Sequence, residues 1–184
     1  MHEIPDDPGR RGAVAICFRD DGRMLVIRRA ASVVAPGAYC FPGGGIEPGE
    51  SEEEALRREF HEEINVAVRP VRRVWQSRTP WQVELSWWLA ELEPGARPEP
   101  NPAEVESVHW LTPGEMARLS ELLPSNREFL DRRIDDVMRI ERAKKAVREN
   151  RLLKPLLAGP EWLASRIKAP SPAAPADLPG RWRG

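Results

Sequence analysis

The sequence predicts an α+β fold with a mixed β-sheet, and three observations carry that prediction. Strand-like alternation opens the chain at Val14, Ile16 and Phe18. A capped amphipathic segment interrupts the strands at about residues 52–64. Two further helix signatures follow the last strand candidate, so the order is strands, helix, strands, helices.

The elements follow in chain order. The first strand spans Gly12 to Arg19. Asp21-Gly22 then marks a tight turn, because glycine accepts positive φ, and Met24 to Arg29 reads as the returning strand of a hairpin. Gly37 to Phe41 is a short apolar stretch that runs into a glycine-rich turn, Gly43-Gly44-Gly45. Ser51 with Glu54 forms a capping box, which starts a helix over Glu52 to Ile64. Strands are expected at Val66 to Val71, Val74 to Ser77 and Gln82 to Leu92. Pro94 to Pro102 is a proline-rich loop, and Val105 to Leu111 is the final strand. Thr112-Pro113-Gly114-Glu115 is a second capping box with proline at the first helical position. Ser125 is the expected cap of a longer helix, Asn126 to Arg148, whose apolar face includes Phe129, Ile134 and Val137.

Composition narrows the function. The 184 residues are 41% hydrophobic and 31% charged, which suits a globular chain rather than a disordered one. A net charge of −1 excludes a protein that coats nucleic acid by bulk positive charge. The charge is uneven: residues 126–184 carry 14 Lys+Arg against 8 Asp+Glu, so the acidic excess lies before them. No apolar run approaches the ~20 residues of a membrane span, and MHEIPDDPGRRG lacks a signal core. Cys17 and Cys40 are expected to be buried, reduced thiols, and the expected compartment is the cytoplasm.

The informative stretch is Gly43 to Val66. At about 100° per residue, Glu52, Glu59 and Glu63 fall within about 40° of one another, beside the apolar stripe Leu56, Phe60 and Ile64. Glu62 lies about 60° to the other side of Glu59, and Glu59, Glu62 and Glu63 form a carboxylate cluster that borders this stripe. Like charges at this spacing repel, and repulsion grows beside a core where screening is weak. A hard divalent cation would relieve it; a solvated acidic face balanced by Arg57 and Arg58 is the other reading.

Gly44, five residues, Glu50, seven residues, then Arg58-Glu59-Phe60-His61-Glu62-Glu63-Ile64-Asn65-Val66 resembles the Nudix box. One position departs: Asn65 stands where the family has glycine. That residue ends the helix, and asparagine tolerates the left-handed conformation best after glycine. The resemblance runs over about residues 12–122. It implies an α/β/α sandwich and a hydrolase that cleaves a nucleoside diphosphate linked to another moiety, using Mg²⁺ or Mn²⁺. By position it implies Glu59, Glu62 and Glu63 as metal ligands, with Gly43 and Gly44 lending backbone. The resemblance also implies catalytic roles for Glu59, Arg58 and Glu62, and for Glu50 a role in bracing the loop and helix.

Four weaker candidates lie outside the box. Glu104 precedes the final strand, where some family members place a further acid. Arg28 and Arg29 can hold phosphate, and Trp75, Trp81, Trp87 and Trp88 can stack on a nucleobase, with Trp81 the candidate among them, although alternation implies that about half of the four pack the core. The expected partner is a nucleotide-type small molecule. A non-catalytic nucleotide sensor, or an RNA-end pyrophosphohydrolase using the basic C-terminal helix, are the alternatives. Residues 1–122 are expected to form the hydrolase domain and 123–168 a helical extension packed on it. Residues 169–184 are expected to be a disordered Pro/Ala-rich tail.

Overall fold

The computed structural model describes residues 10–157, with side chains through residue 150. The expected tail, 169–184, and the N-terminal segment 1–9 lie outside the described residues. The chain divides into two compact units, Met1–Glu141 and Arg142–Gly184.

The first unit is built on seven strands. A four-stranded sheet has the order β4 (Gly43–Gly45), β1 (Arg11–Cys17), β6 (Glu84–Leu92), β5 (Val68–Arg78). It is mixed, because β1 runs parallel to β6 and antiparallel to β4. A three-stranded antiparallel sheet has the order β3 (Tyr39–Cys40), β2 (Met24–Arg29), β7 (Val105–Leu111). The helices are α1 (Glu52–Ile64), α2 (Pro113–Ala117) and α3 (Pro124–Leu157).

Alternation along the strands creates two cores, one on each side of the β layer. Ala13, Ala15, Cys17, Leu25 and Ile27 pack against Leu56, Phe60 and Ile64 of α1. Val14, Ile16, Met24, Val26 and Trp87 pack against Met116 of α2 and Phe129, Leu130 and Val137 of α3. Two helical layers thus sandwich the strands, as the sequence predicts. Phe129 stacks on Trp87 with centroids 4.8 Å apart, and Trp75 leans on both rings.

Four local expectations are corrected. The Asp21-Gly22 turn forms, with Gly22 at φ +81°, but β1 and β2 share only the Phe18–Met24 bridge and then enter different sheets. Both edges of β1 are occupied by β4 and β6, so no ladder remains for β2. Gly43–Gly45 is a strand rather than a turn. The two strands expected across 66–77 are one, β5, with bulges at Pro70/Arg72 and Arg73/Trp75. Ser125 does not cap the last helix, which begins at Pro124, where the missing N–H costs nothing.

In the second unit, α3 continues from Arg142 to Leu157, with a Lys145–Glu149 pair across one turn and Val147 exposed. Among the described residues no helix is long and apolar enough to cross a membrane.

Candidate metal centre and adjoining cleft

Local chemistry sets α1 in place. Ser51 Oγ accepts from the Glu54 N–H, and the Glu54 carboxylate accepts from the Ser51 N–H, completing the capping box. Asn65 ends the helix in the left-handed region, at φ 52° and ψ 40°, as its place in the box requires. Its N–H returns to the last turn, bonding the carbonyls of His61 and Phe60.

The loop after β6 satisfies further carbonyls at that end. Glu99 N–H donates to Ile64 O, Asn101 N–H to Glu63 O, and Asn101 Nδ2 to Glu62 O, all at 2.9–3.0 Å. This tie brings Glu104 to the helix. One carboxylate oxygen each of Glu59, Glu63 and Glu104 then lie within 4.8 Å of one another. The periodicity of α1 points to Glu59 and Glu63. Glu104 is 41 positions further along, and the Glu99 and Asn101 ties, with the Ala30 N–H on the Glu104 carbonyl, account for its arrival.

These carboxylates occupy a hostile environment. Glu63 is 4% exposed. Burial pushes its carboxyl up to about 8, the charges of Glu59 and Glu104 add to this, and the Gly43 N–H (2.9 Å) only partly offsets it. Burial also raises Glu59, against the opposing pull of Arg58. Gly44 passes so close that a Cβ would sit 2.3 Å from Glu59 Oε1.

Arg58 organises the remaining acids. Its Nε and NH2 grip both oxygens of Glu50 at 2.9 Å. NH1 reaches Glu59 (2.9 Å) and Glu62 (3.0 Å), and NH2 also bonds Gly45 O. The guanidinium holds Glu50 below the usual carboxylate range, helped by the Glu47 N–H. Glu50 therefore braces the strand-to-helix loop, the position expected for it. Glu62 differs from its neighbours: its side chain is 46% exposed and stands apart from the three converging oxygens.

The glycine strand is shared with a cleft of about 320 Å³. Arg10, Arg11 and Arg29 line it, together with apolar Val14, Phe41, Val83, Leu85 and Leu123 and the buried amide of Asn126. Arg29 donates to Val34 O, and its charge favours the ionised form of Glu63. Arg28 is instead engaged by Glu106 and Gly37 O and lies over the Tyr39 ring. Trp81 stands on the exposed β5–β6 turn, and neither Arg28 nor Trp81 lines the cleft. Sequence reasoning missed Asn126 as a site residue, reading it only as the start of a helix. A polar residue at an otherwise apolar helix face was the available signal.

A three-layer sandwich whose glycine strand abuts a carboxylate-bearing helix defines a Nudix-type fold. The NUDIX domain model matches residues 8–133, and the chain belongs to the Nudix family. A Nudix hydrolase of Deinococcus radiodurans is 40% identical over 109 residues, covering 54% of this chain and 61% of that one. The NAD-capped RNA hydrolase NudC of the same organism is 33% identical over 113 residues, covering 60% of this chain and 39% of that one. The chain thus spans about two-fifths to three-fifths of the length of these relatives. Among solved structures, a nudix hydrolase family member from Chromobacterium violaceum covers 85% of this chain and 100% of its own, with TM-score 0.58 and 23% identity. The MutT protein of Methanosarcina mazei Go1 covers 67% of this chain and 91% of its own, with TM-score 0.59 and 21% identity. At these identities both show the fold.

Proposed function

We propose that the chain hydrolyses a pyrophosphate bond in a nucleoside diphosphate linked to another moiety, with Mg²⁺, or Mn²⁺ in its place, as cofactor. The convergence of Glu59, Glu63 and Glu104 carries this reading. An all-oxygen, anionic, partly buried donor set suits a hard divalent cation, and the uncompensated charge at Glu63 asks for one. We assign Glu59, Glu63 and Glu104 to hold it, with backbone from Gly43 and Gly44. Glu62, on the rim, is the acid freest to swing toward a second cation. When bound, the ion neutralises the diphosphate and stabilises charge developing at phosphorus.

The chain's own residues supply the rest. Arg58 holds Glu59 and Glu62 in register. Glu59, whose carboxyl burial raises above its ordinary value, is suited to take the proton from the water that attacks phosphorus while the bridging P–O bond breaks. Arg29 and the apolar cleft receive the nucleotide. The expected extension after Leu122 belongs to this reading as far as Val137, supported by Phe129 and Val137 in the core. Two buried thiols suit a cytoplasmic site of action.

The sensor alternative is disfavoured because every acid of the box is present. The experiment is a screen of nucleoside triphosphates, nucleotide sugars and NAD-capped RNA, read by phosphate, pyrophosphate or nucleotide release with Mg²⁺ and with EDTA. Mg²⁺-dependent turnover that collapses in Glu63→Gln supports the reading. Absence of turnover on every substrate overturns it. Capped RNA as the best substrate would favour the RNA-end alternative, which the NudC relative and the basic residues after Glu141 support.

A further inference from the structure

Glu104 reaches the other acids from a turn rather than from α1, and the backbone of that turn is held on every side. Both peptide planes that flank the Glu104 Cα are pinned at each of their polar atoms. Ahead of it, Ala103 O accepts from Ser32 Oγ (2.7 Å), and the Glu104 N–H donates to Asn101 O (2.9 Å). Behind it, Glu104 O accepts from the Ala30 N–H (2.9 Å), and the Val105 N–H donates to Asn101 O (2.7 Å). Because each peptide is planar, holding both planes fixes φ and ψ of residue 104 and with them the direction of its Cβ. Three of these four bonds join backbone to backbone, at Ala30 and Asn101, and do not depend on which side chains stand there. The fourth comes from a side chain, the Ser32 hydroxyl, on the exposed loop between β2 and β3.

The fixed direction has a cost and a use. It holds a carboxylate oxygen of Glu104 within 4.8 Å of those of Glu59 and Glu63, where like charges repel. Without a cation, an acid free to turn swings away from that repulsion into water. Rotation of the plane between Ala103 and Glu104 is the motion that would release it, and the Ser32 hydroxyl holds the carbonyl of that plane. A cation arriving at a released Glu104 has to order the ligand as it binds, and that ordering is subtracted from affinity. We infer that Ser32 is a positioning residue for the cation, its hydroxyl holding the Ala103 carbonyl so that Glu104 stays aimed at Glu59 and Glu63 before the ion arrives. This rests on the proposed cation site and goes beyond it by naming a residue that touches neither cation nor substrate. Ser32 is exposed and packs in neither core, so its bond to Ala103 has little to do with the stability of the fold.

The test is titration of the full chain with Mn²⁺ alone, followed by calorimetry, so that cation binding is read without turnover. Ser32→Ala should weaken Mn²⁺ binding by about 3–10-fold, the range that one hydrogen bond commands, while melting in EDTA close to wild type. Ser32→Thr keeps the hydroxyl and should bind within about 2-fold of wild type. On a hydrolysed nucleotide, Ser32→Ala should raise the Mg²⁺ concentration for half-maximal rate by a similar factor and leave kcat at saturating Mg²⁺ within about 2-fold. In a Glu104→Ala background, Ser32→Ala should weaken Mn²⁺ binding no further, because no ligand remains to be aimed. Wild-type affinity in Ser32→Ala overturns the inference and leaves the cation site standing. A threonine variant as weak as the alanine variant, or an equal loss with and without Glu104, overturns it as well. A wild type that binds no Mn²⁺ sinks the cation site and this role of Ser32 together. The expected pattern of affinities in a chain without turnover sustains Ser32 and sinks the hydrolytic reading. Because the contrast of alanine with threonine already decides the matter, a double variant that fails to fold does not rescue the inference.

Discussion

Glu63→Gln should make the cation-free protein more stable at pH 8, although it removes a residue of the proposed active site. Glu63 is 4% exposed and its carboxyl is pushed up to about 8 from an ordinary 4.5. The folded state therefore holds its proton more tightly than the unfolded chain does. No penalty exists below pH 4.5, where both states are protonated. Stability falls as pH climbs from about 4.5 to about 8, and the loss is complete above that. At about 1.4 kcal/mol per pH unit the loss is on the order of 4–5 kcal/mol. Groups held below the ordinary range, such as Glu50 and Glu115, act in the opposite sense and below about pH 4.5, so the windows do not overlap. Glutamine still offers an oxygen to the Gly43 N–H but carries no charge for Glu59 and Glu104 to repel. Urea unfolding in EDTA, from pH 4.5 to 8.5, should give wild-type and variant curves that meet at the acidic end and separate by several kcal/mol at pH 8. Groups common to both proteins cancel in that difference. Millimolar Mg²⁺ at pH 8 should restore the wild type and leave the variant unmoved, while turnover in the variant falls by at least ~10²-fold. Parallel curves, or a variant less stable than wild type at pH 8 in EDTA, would refute the buried-charge reasoning.

Two glycine substitutions one residue apart should fail differently. Gly44→Ala places a Cβ 2.3 Å from the Glu59 carboxylate, a flexible side chain that can yield, so turnover should drop by about 10-fold or more with a modest stability loss. Gly43→Ala meets the Ala13 backbone oxygen at 2.2 Å with φ at +133°, and should cost several kcal/mol or abolish folding; melts and turnover assays on both variants separate the cases, and equal behaviour would count against the geometry. Asn65→Gly should change stability by less than about 1 kcal/mol and leave activity intact, because the left-handed residue suits glycine while the unfolded chain gains freedom; a large loss in a denaturation curve would expose an unrecognised side-chain role. Phe129→Ala should cost about 3–5 kcal/mol by emptying the stack on Trp87, and a chain cut after Leu122 should aggregate. A soluble, monomeric, fully active truncation in size-exclusion and turnover assays would show that α3 is an appendage.

What was legible in the sequence was local. The capping boxes at Ser51 and Thr112 and the left-handed Asn65 each depend on a few neighbouring residues, and α1 spans the residues expected of it. Pairing between distant strands was not legible. Asp21-Gly22 makes a tight turn in any context, but the destination of β2 depends on which edges of β1 other strands have already taken. Three consecutive glycines read as a turn by propensity; they form β4 because the ladder passes too close to Ala13 for a side chain at Gly43. The candidate site divides the same way. Helical spacing gathered Glu59, Glu62 and Glu63 into one cluster but did not show the separation that leaves Glu62 half-exposed beside the other two. Glu104 and Asn126 arrive from 41 and 63 positions beyond Glu63, by contacts no periodicity encodes.

Asn126 and Glu63 meet on one short piece of chain. Phe41 N–H takes Asn126 of α3, and Gly43 N–H takes Glu63 of α1, while the Pro42 carbonyl between them accepts from Ala15 in β1. Proline has no N–H to offer, so the two donors fall on either side of it. The segment is pinned to the four-stranded sheet through Ala15 and can shift little. It therefore fixes the buried carboxylate of Glu63 and the cleft amide of Asn126 relative to each other through a single short stretch of backbone. Both side chains are buried, and each would be costly to leave unpaired. A chain selected for stability alone would place an uncharged acceptor such as glutamine at residue 63, keeping the Gly43 N–H paired without burying a charge. Keeping Glu63 leaves a buried carboxylate beside the glycine strand and close to Glu59 and Glu104, where a bound cation would satisfy it.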